Sequence, residues 1–152
     1  GGRGLQGLRT AAREGVLSPA AGAVLASWKD LRTKDLDDFL ANPFRPGPFQ
    51  NDAFTSADLE AVMLLGTAIL RRAALLIAVH ITTPVLKTGH GRSPLHPVCV
   101  TVDGSTYYKT TALQSRVEEH VRRILGERGV HAELVRVDDA PLIGAAVAGL
   151  TA

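Results

Sequence analysis

The stretch that most constrains this chain runs from Pro97 to Lys109, Pro-Val-Cys-Val-Thr-Val-Asp-Gly-Ser-Thr-Tyr-Tyr-Lys. Its valine-rich part, Val98 to Val102, reads as a buried or half-buried strand. Asp103-Gly104-Ser105 ends that strand in residue types that permit a tight turn and leave backbone N–H groups free. A helical pattern and a second apolar run follow, giving the order strand, polar turn, helix, strand. In α/β units of that order, ligands bind at the carboxyl ends of the strands. Asp-Gly is also the commonest two-residue hairpin turn, with Thr106-Tyr107-Tyr108 as a return strand. The local sequence leaves both readings open.

The elements after the turn follow from spacing. Thr111, with Gln114 three residues on, predicts a capping box. Leu113, Val117, Val121, Ile124 and Leu125 form an inward helical stripe, with Arg116, Glu118, Glu119, Arg122 and Arg123 outward. Gly126 and Gly129 close the helix. Residues 130–137 form the second strand, parallel to the first by a right-handed crossover. Pro141 then opens a helix whose residues 142–150 are small and apolar enough to pack tightly on a sheet. Two strands do not make a free-standing parallel sheet covered on both faces. The chain is therefore expected to be half of a domain whose remaining strands lie elsewhere.

Upstream, Gly1-Gly2-Arg3-Gly4 reads as a turn. Residues 4–15 then place Leu5, Leu8, Ala11 and Ala12 on one helical side, with Gly15 as the stop. Ser18-Pro19 supplies an N-cap and a first-turn proline for a helix to about Trp28. Thr33 can cap a third helix, with Asp35, Asp37 and Asp38 near its positive end and Leu36, Phe39 and Leu40 inward. It stops before Pro43. Residues 42–51, rich in proline, form a loop anchored by Phe44 and Phe49. The longest element is capped by Thr55 or Ser56, carries Asp58 and Glu60 in its first turn and is apolar over residues 61–81. An apolar run of that kind is a buried helix or a membrane span. Arg71 and Arg72 in its middle are costly at a bilayer centre, which favours the buried helix. Pro84 is expected to end or kink it, before a loop over residues 87–97.

The 152 residues amount to one domain in size. The first residue is Gly1 rather than a methionine, so the chain is expected to be an excised or truncated piece. With a net charge of +2 and scattered Lys and Arg, no basic stripe for nucleic acid forms. The single cysteine precludes an internal disulfide and fits a reducing, cytoplasmic setting. The N-terminus, rich in Gly and Arg, lacks the apolar core of a signal peptide.

Few catalytic constellations stand out. Cys99 could pair with any of five histidines, but spacing selects none, and a lone cysteine in a valine strand is ordinarily core. His90, His96 and Cys99 have a spacing a metal could use, without an evident fourth ligand. There is no P-loop and no dinucleotide fingerprint. Thr33-Lys34 reads either as a cap beside a surface lysine or as a hydroxyl and an ammonium at an anion site. Gly144-Ala145-Ala146 reads as close helix packing or as close approach to a ligand.

Taken together, these pieces resemble the hexokinase family. Val100-Thr101-Val102-Asp103-Gly104-Ser105-Thr106-Tyr107 is similar to that family's adenosine motif. The helix over 113–125 and the strand after it fall at the family's spacing. Residues 139–146 stand where the family has an acidic residue, glycines and Gly-Ala-Ala. Gly1-Gly2-Arg3-Gly4-Leu5 resembles its Ser-Gly-x-Tyr-Leu-Gly segment, Thr33-Lys34 a Thr-Lys pair that contacts nucleotide phosphates, and Arg71-Arg72-Ala73-Ala74 a helical Arg-Arg-Ala-Ala. Asp37 stands where the family has a serine.

The resemblance implies a fold: an α/β chain, the C-terminal part of an actin-like, ribonuclease-H-like ATPase domain, helix-rich with a short parallel strand pair. It divides the chain into 1–55 (helices and loop), 56–96 (long buried helix and loop) and 97–152 (nucleotide-side unit). It also implies Mg2+ and ATP as cofactors, a hexose as substrate, and the rest of its own longer chain as partner, without nucleic acid or membrane. Asp103, Gly104 and Ser105 would lie beside adenosine, Gly2, Arg3 and Gly144 near the nucleotide, and Thr33 and Lys34 towards its phosphates. The family's catalytic aspartate, sugar-binding residues and main phosphate loops precede the segment matching Gly1, so this chain alone would be inactive. A non-catalytic sensor or scaffold, or another sugar kinase of the same superfold, is the alternative.

Overall fold

The computed structural model describes residues 2–137 and 140–151, in two units, Gly1–Ala73 and Ala74–Ala152. The first holds α1 (Gly2–Arg13), α2 (Pro19–Ser27), α3 (Thr33–Ala41) and the first part of α4 (Ser56–Thr88). Helix α1 buries Leu5, Leu8 and Ala11, the spacing read from the sequence. It begins at Gly2, so Gly2 to Gly4 are helical rather than a turn; Gly1 lies outside the described residues. Glycine is less favourable than alanine in a helix by only about 1 kcal/mol, and the turn expectation leaned on glycine composition alone.

Ser18 caps α2, its hydroxyl accepting from the Ala21 N–H at 3.3 Å. Arg9 of α1 closes the other end of α2. Its guanidinium donates to the carbonyls of Leu25 (3.1 Å), Ala26 (3.2 Å) and Trp28. Those carbonyls have no helical N–H to accept from, and a cation there also complements the helix dipole. Arg9→Ala is expected to lower stability by about 1–2 kcal/mol, read as a shift in the urea midpoint.

The core of this unit joins Leu5, Leu8, Leu17, Leu25, Leu31 and Val62 to an aromatic cluster. Phe49 sits at its centre, with ring centroids 4.8 Å from Phe39, 5.4 Å from Trp28 and 5.8 Å from Phe54. The proline-rich loop is thus tied to the core through Phe49. Phe44, expected as a second anchor, is 88% exposed.

Asp58 is the buried polar hinge of the unit, 2% exposed. It accepts from Thr55 N (2.9 Å) and Thr55 Oγ1 (2.7 Å), while its own N–H donates to Thr55 Oγ1 (3.2 Å). That reciprocal box makes Thr55 the cap of α4. Asp58 also accepts from Ser18 N (2.6 Å) and Ser18 Oγ (2.8 Å), so one carboxylate ties the starts of α2 and α4 together. Burial pushes this carboxyl up, but hydrogen bonds from Ser18 and Thr55 outweigh it and bring it down to about 2.

Helix α4 departs from the expectation of a buried helix. The buried residues are few: Asp58, Val62 and Gly66 in the first unit, and Ala74, Ala78, Thr82 and Val85 in the second. Leu64, Ile69, Leu75, Leu76 and Val79 are exposed. An apolar composition shows that a face can be buried, not that something in the chain covers it. By length and composition alone, α4 could cross a membrane. The helix also runs through Pro84 to Thr88. A proline inside a helix removes its own N–H from the ladder and its ring crowds the carbonyl four residues back; α4 continues past it, and Val85 beyond it is buried.

The second unit continues with β1 (Val98–Val102), α5 (Ser105–Lys109), α6 (Leu113–Gly126), β2 (Ala132–Arg136) and α7 (Ala140–Thr151). The strands pair in parallel, Val98 opposite Ala132 through Val102 opposite Arg136. Between them α6 buries Leu113, Val117, Val121 and Leu125. It starts one residue after Ala112, which takes the cap position at φ 58, and Gln114 donates to Glu118 at 2.8 Å. Ala112, rather than the expected Thr111, therefore holds the cap position of α6. In β1 the residues alternate, with Cys99 and Thr101 outward. Cys99 is exposed rather than core: alternation splits a strand into two faces without saying which is covered.

The chain enters β1 through Gly91. Its carbonyl accepts from His131 N at 2.8 Å, and the His131 carbonyl in turn accepts from Val98 N at 2.9 Å. Gly91 has φ 76, and a Cβ there would stand 2.5 Å from the His131 carbonyl oxygen.

Candidate functional site

The carboxyl ends of β1 and β2 define the candidate site. Val102 and Arg136 form the last rung of the ladder. Beyond Val102 the chain turns through Asp103 and Gly104 into α5, which rules out the hairpin reading of Thr106-Tyr107-Tyr108. Gly104 makes the turn with φ 136 and ψ 125, a conformation essentially reserved for glycine. Asp103 and Ser105 are exposed at this end.

The two tyrosines after the turn hold it from below. Tyr108 Oη donates to the Val102 carbonyl at 2.9 Å. Its ring meets Tyr107 edge-on, centroids 4.8 Å apart at 89°. The Arg136 guanidinium carbon lies 4.8 Å from the Tyr108 ring centroid, a cation–π contact. Tyr107 is 7% exposed, and its hydroxyl has no hydrogen-bond partner. Burial, then the negative charge of Glu118 and the neighbouring Tyr108, push that hydroxyl up to about 12. A buried hydroxyl without a partner costs its desolvation. Tyr107→Phe is therefore expected to keep or raise the melting temperature, by up to about 1 kcal/mol of added stability.

The other residues read from the sequence are placed as follows. Thr33 and Lys34 belong to the first unit, at the start of α3. Arg32 rather than Thr33 holds the cap position, because the Asp35 carboxylate reaches back to the Arg32 N–H at 3.2 Å. The Asp35 carboxyl is held below its ordinary range by the hydrogen bond from the Arg32 guanidinium, against the opposing effect of burial. Lys34 Nζ is engaged by Asp38, at 2.9 Å from Oδ1 and 2.7 Å from Oδ2, and Arg45 approaches the same carboxylate at 3.4 Å. Gly2 and Arg3 belong to α1, and Gly144 to α7. The side chains of Arg3 and of residues 140–144, together with Asp138 and Asp139, lie outside the described residues.

The structure thus brings Asp103, Gly104 and Ser105 together and adds two residues that sequence reasoning missed, Tyr108 and Arg136. Tyr108 was legible only as part of an aromatic pair. Arg136 became visible through the strand register, which sets it opposite the residue before Asp103. Among the described residues no three His, Cys, Asp or Glu side chains come together as a metal site.

A protein-family model described as hexokinase matches residues 22–151. The match takes in Thr33, Lys34, Asp103 to Ser105, Arg136 and Gly144, and leaves out Gly2 and Arg3. Comparison with curated proteins and with solved structures gave no match.

Proposed function

The chain belongs to the hexokinase family, and from that premise we propose that it forms the adenosine end of the nucleotide site in an ATP-dependent sugar kinase. The observation that carries the reading is the turn at Gly104. It stands at the carboxyl end of a parallel strand, where α/β sheets take their ligands, in a backbone conformation that leaves Asp103 and Ser105 exposed. In this reading Asp103, Gly104 and Ser105 face the adenosine and Gly144 lies near the nucleotide. Magnesium arrives with the nucleotide, since it is held largely by substrate phosphates and water with one or two carboxylates.

In this reading the chain is the C-terminal portion of an actin-like large domain in a longer cytoplasmic polypeptide. The whole enzyme moves the γ-phosphoryl group of Mg-ATP to a hexose 6-hydroxyl, whose proton passes to an upstream aspartate. Lacking that aspartate and the sugar-binding residues, the present chain alone phosphorylates nothing. The two-stranded sheet and the exposed apolar face of α4 support this reading, since a parallel sheet ordinarily has more strands and covered faces. Arg71 and Arg72, exposed in the middle of that helix, favour the rest of the chain over a bilayer as its cover.

One observation favours a second reading, a binding or scaffolding module without phosphoryl transfer. Lys34 is paired with Asp38 rather than free for phosphate. Titration with Mg-ADP, followed by amide shifts, tests the nucleotide end directly. Movement of the Gly104 and Ser105 signals is expected; silence at about 10 mM nucleotide favours the module.

A further inference from the structure

We propose that Arg136 is a positioning residue of the nucleotide end: stacked on Tyr108, it fixes the shape of the Asp103–Gly104 turn. The inference rests on the reading of that turn as the adenosine side.

Gly104 is the freest residue in the turn, and a Cβ built there would meet no atom within 4 Å. Its conformation must therefore be set by its neighbours. On one side is Val102, whose carbonyl accepts from Tyr108 Oη at 2.9 Å. On the other is α5, whose Tyr108 N–H approaches the Gly104 carbonyl at 3.5 Å. Tyr108 thus spans the turn, gripping the residue before it with its hydroxyl and the turn itself with its backbone. What holds Tyr108 is a pair of contacts. The buried Tyr107 ring supports its edge, and the Arg136 guanidinium lies over its face at 4.8 Å. Arg136 is delivered to that face by the parallel register, opposite Val102 on the last rung.

The test compares Arg136→Met, which keeps the stem without the charge, with Arg136→Lys, which keeps a cation for the ring. Tyr108 amide exchange is measured without nucleotide, and Mg-ADP affinity by calorimetry, with the melting temperature as control. Arg136→Met is expected to speed Tyr108 exchange and weaken Mg-ADP binding about three- to tenfold with the melting temperature held. Arg136→Lys should recover most of both. Unchanged exchange and affinity in Arg136→Met overturn the proposal. So does a loss that tracks a falling melting temperature and is not rescued by lysine, since that describes a merely structural residue. If the wild-type chain binds no Mg-ADP, the nucleotide reading fails and the inference falls with it. Intact wild-type binding with no effect of Arg136→Met sinks the inference alone.

Discussion

Asp58→Ala is expected to lower the stability of the first unit by about 3–5 kcal/mol, among the largest effects of any single change there. The substitution removes the acceptor for four hydrogen bonds. It leaves the Ser18 and Thr55 N–H groups without that partner at the starts of two helices. Trp28, the only tryptophan in the chain, packs on Phe49 and Phe54 in the same core, so its fluorescence in urea reports the loss. The same carboxylate gives an acid limb to stability. Its folded value of about 2 lies below the ordinary 3.8, so the stabilisation is fully present above about pH 4. It is lost as the pH falls from there through about 2, amounting to about 2–3 kcal/mol. Asp58→Asn should flatten that limb. An unchanged acid limb in Asp58→Asn would show that the hydrogen bonds carry no such weight.

Gly91→Ala should be comparably severe in the second unit, at about 3 kcal/mol or more. Two costs combine. A left-handed φ of 76 is unfavourable for alanine by about 1–2 kcal/mol. The new Cβ would also lie 2.5 Å from the His131 carbonyl oxygen, a backbone atom that can move only by disturbing its bond to Val98. Both tyrosines of the chain belong to this unit, so near-ultraviolet tyrosine circular dichroism should lose its signal at lower temperature. A melting curve that overlays the wild type would contradict the close approach.

What the sequence disclosed, and what it withheld, divides between local and tertiary causes. Ser18-Pro19 and Thr55-x-x-Asp58 were readable as helix starts because capping is settled within three residues. That Asp58 also binds Ser18, forty residues away, was not, since no local pattern encodes which two helix ends meet. Gly91 read as an ordinary loop residue; its constraint comes from His131, on another segment. The inward stripe of α6 followed from spacing, and so did the parallel pairing of the strands, because a crossover helix leaves little other choice. Cys99 failed because a strand's period gives two faces and not their cover. Of the candidate site, Asp103-Gly104-Ser105 was legible as a turn, with hairpin and ligand loop equally open; the short helix over Ser105–Lys109 was not foreseen. Arg136 depended on a register that only pairing reveals.

The most direct test of the sugar-kinase reading is hexose-dependent release of ADP from Mg-ATP, measured for this chain and for the longest polypeptide of the same reading frame. Turnover by a longer polypeptide and none by residues 1–152 alone is the result expected. A parent of only these residues, silent with every hexose and blind to Mg-ADP, would contradict it.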